Sequence, residues 1–118
     1  MPNNDPFSEL IKRIITFRDE RDWKQFHNPK DVAISLSLEA GEVLEHFQWK
    51  TPEQIEQHIK DHKEDIGDEL ADVLAHLLIL SNDLDIDLST AFEKKMKKNA
   101  KKYPVEKVKG KNKKYTEY

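Results

Sequence analysis

The chain has 118 residues, the length of one domain. Hydrophobic and charged residues each make up 36% of it and there are only three glycines, a profile typical of a helical protein with a well-solvated surface. The absence of cysteine excludes disulfides and thiolate metal sites. The N-terminus lacks the features of a signal peptide and the longest apolar run, Leu77 to Leu80, is too short to span a membrane, so we expect a cytoplasmic protein.

Charge is distributed unevenly along the chain. Residues 93–118 contain 11 Lys and 3 Glu, a formal charge of +8, whereas the other 92 residues contain 9 basic and 20 acidic groups, a formal charge of −11. An acidic body can hold cations while a basic end meets an anionic partner, although a solvated lysine-rich tail explains the same pattern. Nucleic acid is a weaker partner, because the acidic body would repel its phosphate backbone.

Two helices are predicted in the first half of the chain. The first begins at Asp5-Pro6, a capping residue followed by proline, and ends in the polar run 18–22. Asn28-Pro29 repeats this signal and begins a second helix over about residues 29–49. Gly41 lies inside it at a cost of about 1 kcal/mol relative to alanine, which close approach of another backbone or a metal site would explain.

Two further helices are predicted in the second half. Thr51 and Gln54 form a capping box that starts a long third helix, with a bend near Gly67. The fourth covers about residues 87–103, and the segment beyond Pro104 has no periodicity and is predicted to be a loop or tail. We therefore expect an all-α four-helix bundle over residues 1–104 with a basic tail over 105–118.

Two acidic pairs, Glu39/Glu42 and Glu69/Asp72, repeat the same pattern at an offset of 30 residues. Each pair has i, i+3 spacing and therefore lies on one helix face, and both pairs fall within apolar stripes. Burying an ionised carboxylate costs several kcal/mol unless something compensates for it. A divalent cation such as Mg²⁺ or Mn²⁺, which prefers oxygen ligands and takes phosphates as further ligands, would resolve the conflict. A solvated acidic face is the alternative.

Other metal chemistries fit the sequence less well. Di-iron carboxylate bundles use Glu-x-x-His, whereas His46 and His76 each follow the second acid of a pair by four residues, which favours a hard cation over iron. The pair His58/His62 has the i, i+4 spacing of a transition-metal site, but the sequence suggests no third ligand nearby, so we interpret it as part of a solvated face.

Together with further segments, the acidic pairs make the chain resemble a known family. It is similar to the all-α nucleotide pyrophosphohydrolases of the MazG-like group, and in particular to the dCTP pyrophosphatase branch. Four stretches carry this resemblance besides the acidic pairs: Glu20-Arg21-Asp22-Trp23-x-Gln25-Phe26-His27-x-Pro29, Phe47-Gln48-Trp49-Lys50, Lys95-Met96-x-x-Asn99-x-x-Lys102-Tyr103-Pro104 and Lys114-Tyr115-Thr116-Glu117.

The resemblance implies Mg²⁺-dependent cleavage of a nucleoside triphosphate into monophosphate and pyrophosphate. The metal ligands and catalytic groups would be Glu39, Glu42, Glu69 and Asp72. Trp23 and Trp49 would stack on the base, while basic residues of the fourth helix would hold the phosphates. The full set of implied substrate-binding residues is Trp23, His27, Trp49, His76, Lys95, Asn99, Lys102 and Tyr103. The family also implies a dimer or tetramer, with no nucleic-acid polymer or membrane as partner.

Two positions depart from the vertebrate-like dCTP enzymes. Ile14 stands where that branch has histidine, and His76 stands where it has tyrosine. Both belong to the base-contacting region, so base preference is the property they affect. We expect dCTP or a modified dCTP as substrate, with a broad dNTP or dUTP pyrophosphatase as the alternative. A non-catalytic nucleotide-binding module and a metal-free interaction bundle are the alternatives outside this chemistry.

Overall fold

A computed structural model describes residues 5–111, and every regular element within this range is helical. The all-α class expected from the sequence is confirmed. Six α-helices occur in chain order: α1 (Ser8–Glu20), α2 (Pro29–Glu45), α3 (Pro52–Asp61), α4 (Lys63–Asp83), α5 (Leu88–Lys102) and α6 (Val105–Val108). A short 3₁₀ turn, Lys24–Phe26, lies between α1 and α2. None of the helices in this range has the length and apolarity needed to cross a membrane.

The described residues divide after Ile86 into two compact units. In the first unit, α2 and α4 form the most extensive helix pair, and both α1 and α3 pack on α4. The core of this unit contains Val32 from α2 and Leu78 and Ile79 from α4, all at most 5% exposed. Burial of each such side chain contributes about 1.5–3 kcal/mol. The helices that carry the two acidic pairs are therefore also the helices that build the core.

Side-chain caps fix the starts of α2 and α3 where the sequence predicts them. The Asn28 carboxamide oxygen accepts a 2.9 Å hydrogen bond from the Asp31 backbone amide. At α3, the Thr51 hydroxyl accepts from the Gln54 amide at 3.2 Å and the Gln54 side chain accepts from the Thr51 amide at 2.9 Å. Each cap satisfies amide groups that the first helical turn leaves without partners.

Three local predictions are wrong. The long third helix does not bend near Gly67 but divides at His62, whose backbone (φ −128°, ψ 28°) ends α3. The second helix ends at Glu45, because the chain then turns and Trp49 adopts a left-handed conformation with φ 63°. The first helix begins at Ser8 rather than at Asp5-Pro6, and no side chain caps it. A Cβ atom placed on Gly41 would meet no atom within 4 Å outside its own helix in the described chain, so an approaching backbone does not explain this glycine and the metal-site explanation stays a prediction.

A buried ion pair joins α1 to the end of α4. The Arg18 guanidinium donates to both carboxylate oxygens of Asp83 at 2.8 and 3.1 Å, and Arg18 is only 2% exposed. The sequence pattern predicts that Arg18 belongs to the polar run that ends the first helix. This prediction is wrong, because Arg18 is buried. Arg18 follows Ile14 by four positions, so it lies on the apolar face of α1.

The second unit contains α5 and α6. The Asp87 carboxylate accepts a 3.1 Å hydrogen bond from the Thr90 amide and caps the start of α5, as the sequence predicts. The predicted loop after Pro104 instead contains the single-turn helix α6. The remainder of the predicted tail, with the motif Lys114-Tyr115-Thr116-Glu117, lies outside the described residues, and the division into a 1–104 domain and a tail stays a prediction.

Candidate active site

The acidic pairs of α2 and α4 converge in the first unit. One carboxylate oxygen from each of Glu39, Glu69 and Asp72 lies within 4.8 Å of the other two. The carboxyl group of Glu42 is within hydrogen-bonding reach of both Glu39 and Glu69. We call these four residues the carboxylate cluster. Helical i, i+3 spacing explains each pair, and the packing of α2 against α4 brings the two pairs together.

The acids of the carboxylate cluster repel one another electrostatically. Hydrogen bonding to the Glu42 carboxyl, then burial, then the negative charges of Glu42 and Asp72 raise the pKa of Glu39. The pKa of Glu69 is raised by the same Glu42 hydrogen bond, then by burial and by its three acidic neighbours. One oxygen of Glu39, Oε2, is buried and has no hydrogen-bond partner. The charge of His76 lowers the pKa of Glu39, but the pKa of both glutamates is raised overall, so the cluster keeps an excess of negative charge.

The donor set of the cluster suits a hard divalent metal ion. All four ligands are carboxylates, and within residues 5–111 no ion pair shorter than 4 Å uses any of them. A buried acceptor without a donor, such as Glu39 Oε2, can be satisfied by a cation. Mg²⁺ and Mn²⁺ prefer such oxygen ligands. The cluster can therefore hold a metal ion, as the sequence indicates.

Two histidines of the predicted substrate site have defined hydrogen-bond partners. Nδ1 of His76 is 2.8 Å from the backbone carbonyl oxygen of Asp72, so this nitrogen must carry the proton and donate it. Nδ1 of His27 lies 3.4 Å from Nη1 of Arg18 and can only accept from it. Burial, followed by the charge of Arg18, lowers the pKa of His27. His27 therefore ties the loop before α2 to α1 as a neutral ring.

The two tryptophans occupy different environments. Trp23 packs edge-on against Phe17 with ring centroids 5.8 Å apart, and 46% of its surface is exposed. Trp49 is 91% exposed and lies at a surface cavity of about 520 Å³ that Lys50, His58 and His62 also line. A fully exposed indole held at positive φ combines hydrophobic exposure with backbone strain, and such strain is common at functional sites.

Comparison with known proteins identifies the family. The model of the MazG-like family matches residues 34–118. dCTP pyrophosphatase 1 of Bos taurus is 36% identical over 98% of this chain and 70% of its own length, and the Homo sapiens protein of that name is 37% identical over 96% and 68%. This chain belongs to the MazG-like family. The crystal structure of a pyrophosphatase from Archaeoglobus fulgidus matches 83% of this MazG-like chain and 92% of its own, with a TM-score of 0.78 and 38% identity.

The remaining substrate-binding candidates of this MazG-like protein belong to the second unit. Lys95, Asn99 and Lys102 lie on α5 at i, i+4 and i+7, and Tyr103 follows the last residue of that helix. This spacing places them on one helix face. Lys95 is exposed and Asn99 is half-buried.

Sequence reasoning did not find two features of the MazG-like fold. The Arg18–Asp83 pair joins residues 65 positions apart, and only the placement of Arg18 on an apolar stripe hints at it. His46 is the second, because its Nδ1 lies 2.8 Å from Nε2 of His58 across the turn between α2 and α3. This contact depends on the path of the turn, which the spacing of residues in the sequence does not predict.

Proposed function

We propose that this MazG-like enzyme hydrolyses a deoxynucleoside triphosphate to the monophosphate and pyrophosphate, with dCTP or a modified dCTP as its substrate and nucleotide-pool clean-up as its role. The observation that carries this proposal is the carboxylate cluster, which brings four acids together with no salt bridge to any of them within residues 5–111. The relatives named dCTP pyrophosphatase 1, at 36–38% identity, support the reaction and the choice of base.

Mg²⁺, with Mn²⁺ as a substitute, is the metal that we propose for the cluster. Glu39, Glu42, Glu69 and Asp72 would hold it. A bound Mg²⁺ offsets charge on phosphate oxygens and lowers the pKa of a coordinated water. One of the glutamates of the cluster would orient or deprotonate that water.

Side chains outside the cluster would position the nucleotide. Trp23 and Trp49 offer exposed aromatic faces for stacking on the base, and His27 orders the loop between α1 and α2. Lys95, Lys102 and Asn99 of α5 would hold the phosphate chain, with Tyr103 at the end of the same helix. Their positive charge suits a triphosphate.

The orientation of His76 supports cytosine as the base. Because Nδ1 of His76 donates to the Asp72 carbonyl, Nε2 would be the acceptor nitrogen of this ring. The exocyclic amino group of cytosine is a donor, whereas the corresponding position of uracil is an acceptor. A site built around this acceptor rejects the base that leaves it unpaired. A broad dNTP or dUTP pyrophosphatase remains the second candidate, since Ile14 provides no hydrogen-bonding group to the base.

A turnover panel tests the proposal. The purified protein is incubated with Mg²⁺ and each of dCTP, 5-methyl-dCTP, dUTP, dTTP, dATP, dGTP and CTP, and the products are separated by chromatography. We expect monophosphate and pyrophosphate, with the cytosine deoxynucleotides turned over most efficiently.

Two variants control the panel. Asp72→Asn should lower kcat by at least 100-fold, while Glu56→Gln, which neutralises an exposed acid of α3, should leave it unchanged. Equal turnover of dCTP and dUTP would favour the broad pyrophosphatase. Absence of turnover in a folded protein stabilised by Mg²⁺ would favour a nucleotide-binding module without catalysis.

A further inference from the structure

Three histidines form a column beside the turn that holds Trp49. His46 follows α2, His58 lies on α3, and His62 stands between α3 and α4. The rings of His46 and His58 have centroids 5.1 Å apart, and those of His58 and His62 stack at 4.5 Å with an interplanar angle of 25°. We call these three residues the histidine column. None of them belongs to the carboxylate cluster.

The contacts of the column bear on the protonation of its rings. Nδ1 of His46 lies 2.8 Å from Nε2 of His58, so one of these nitrogens donates a proton and the other accepts it. Burial first, then the positive charges of His62, Lys50 and His46, lower the pKa of His58. His58 is therefore neutral at pH 7, which is the form that binds a metal ion.

His62 is held in the manner of a metal-binding histidine. Its Nδ1 lies 3.1 Å from a carboxylate oxygen of Asp65. A hydrogen bond donated by Nδ1 to Asp65 leaves the lone pair of Nε2 free to bind a metal ion. A carboxylate in this position also strengthens the ring as a metal ligand. His62 follows the last residue of α3, and its ring still lies beside that of His58, with the centroids 4.5 Å apart.

We propose that the histidine column binds a divalent transition-metal ion of the zinc class. The ion replaces the proton shared by His46 and His58. The ring nitrogens of the three histidines do not all lie within 4.8 Å of one another, so ring rotations must open the His46–His58 hydrogen bond and bring His62 to the same ion, and water completes the coordination. Imidazole ligands favour zinc, nickel and copper, whereas the carboxylates of the cluster favour magnesium and manganese, so the two sites select different metals.

The surroundings of the column suit this assignment. The cavity of about 520 Å³ beside His58 and His62 gives an ion access from solvent. Asp61 and Asp65 contribute negative charge, and Lys50 opposes it. A bound metal ion would connect three segments, namely the end of α2, helix α3 and the start of α4. It would thereby fix the conformation of the turn that holds Trp49.

Cobalt binding tests the proposal without any nucleotide. Co²⁺ is titrated into the protein in excess Mg²⁺, which occupies the carboxylate cluster, and the visible absorption of the ion is followed. We expect the spectrum of nitrogen-ligated Co²⁺ at one ion per chain, displaced by Zn²⁺. His58→Gln should abolish the spectrum, and Asp65→Asn should weaken binding by about 10-fold or more, because the carboxylate orients a ligand.

Controls separate this site from other histidines and from misfolding. His27→Gln removes a histidine outside the column and should leave the Co²⁺ spectrum and affinity unchanged. The exposed His62→Gln and Asp65→Asn variants test the site independently if circular dichroism shows that His58→Gln does not fold. The proposal is overturned if folded column variants bind Co²⁺ as wild type does, or if wild type shows only oxygen-ligated Co²⁺.

Discussion

At Glu39, a buried carboxylate oxygen lies among other acids and has no hydrogen-bond partner. An acid whose pKa is raised by folding binds its proton more tightly in the folded than in the unfolded state. Its stabilising contribution is therefore complete below the ordinary pKa of 4.5 and is lost as the pH rises through the raised value. In the absence of divalent cations, Glu39 and Glu69 should thus destabilise the protein at neutral pH.

We expect Glu39→Gln to be more stable than wild type at neutral pH in the presence of a chelator. The difference should shrink as the pH falls and vanish below 4.5, where wild-type Glu39 becomes protonated in both states. Urea unfolding followed by circular dichroism across this range measures the effect.

Added Mg²⁺ should reverse that order, because it stabilises wild type more than the variant. Glu56→Gln, at an exposed position of α3, is the matched control and should follow the wild-type pH profile. Lower stability of Glu39→Gln at neutral pH without metal would show that Glu39 is satisfied in the apo fold.

Individual residues were predictable where spacing determines the neighbours. The i, i+3 acidic pairs and their apolar stripes were enough to predict a converging cluster, and three of its four acids offer oxygens within 4.8 Å of one another. The His46–His58 contact and the burial of Arg18 were not predictable, because both depend on how separate segments meet. Spacing rules describe one helix and not the path of a turn.

On the scale of single elements, the turn after α2 stores backbone strain at Trp49. A left-handed conformation costs a residue with a Cβ atom about 1–2 kcal/mol, and glycine avoids this cost. We expect Trp49→Gly to be more stable than Trp49→Ala by about 1 kcal/mol. Both variants should bind nucleotide about 10-fold more weakly if the indole stacks on the base. Urea unfolding and calorimetric titration measure the two effects.

Trp49→Phe is the control for this pair, since it keeps an aromatic face and should retain most of the affinity. Nucleotide binding by Trp49→Ala at wild-type strength would remove Trp49 from the proposed base site.

The Arg18–Asp83 pair should contribute strongly to the attachment of α1 to α4. Asp83→Asn leaves the Arg18 guanidinium buried without a counter-ion, and breaking such a pair costs about 3 kcal/mol. Glu20→Gln breaks an exposed 3.7 Å pair with Arg21 and should change the free energy of unfolding by less than about 1 kcal/mol. Chemical denaturation measures the free energy of unfolding of both variants. Equal changes in the two variants would show that solvent screens the Arg18–Asp83 pair.

Helix starts with a side-chain cap were easier to predict than helix ends, whereas α1 begins at Ser8 without such a cap and not at the predicted Asp5-Pro6. Asn28, Thr51 and Asp87 each accept the backbone hydrogen bond that their position in the sequence indicates. The break at His62 carries neither glycine nor proline, and so its local sequence contains no stop signal. Glycine at position 67 suggested a bend, but α4 continues through it because packing on α1, α2 and α3 outweighs local propensity.

For the whole molecule, exposed apolar side chains indicate self-association. Ile34 and Leu38 of α2 are 49% and 65% exposed, and Leu70 and Leu77 of α4 are 53% and 38% exposed. Such rows on neighbouring helices are typical of protein interfaces. We expect a dimer or tetramer in solution.

Leu38→Glu should shift the protein to a smaller species, because it places a charge among these exposed apolar groups. Analytical ultracentrifugation measures the mass, and Gln57→Glu, which adds a charge at an exposed polar position of α3, should leave it unchanged. A monomeric wild-type protein at micromolar concentration would refute the expectation.

The sharing of α2 and α4 between the core and the carboxylate cluster has an evolutionary consequence. A scaffold and a site built from the same two helices cannot be optimised independently. In a laboratory selection for heat resistance alone, with divalent cations withheld, substitutions that neutralise Glu39 or Glu69 should be enriched, and turnover would be lost with them. Selection for stability and selection for catalysis therefore favour different residues at the same positions.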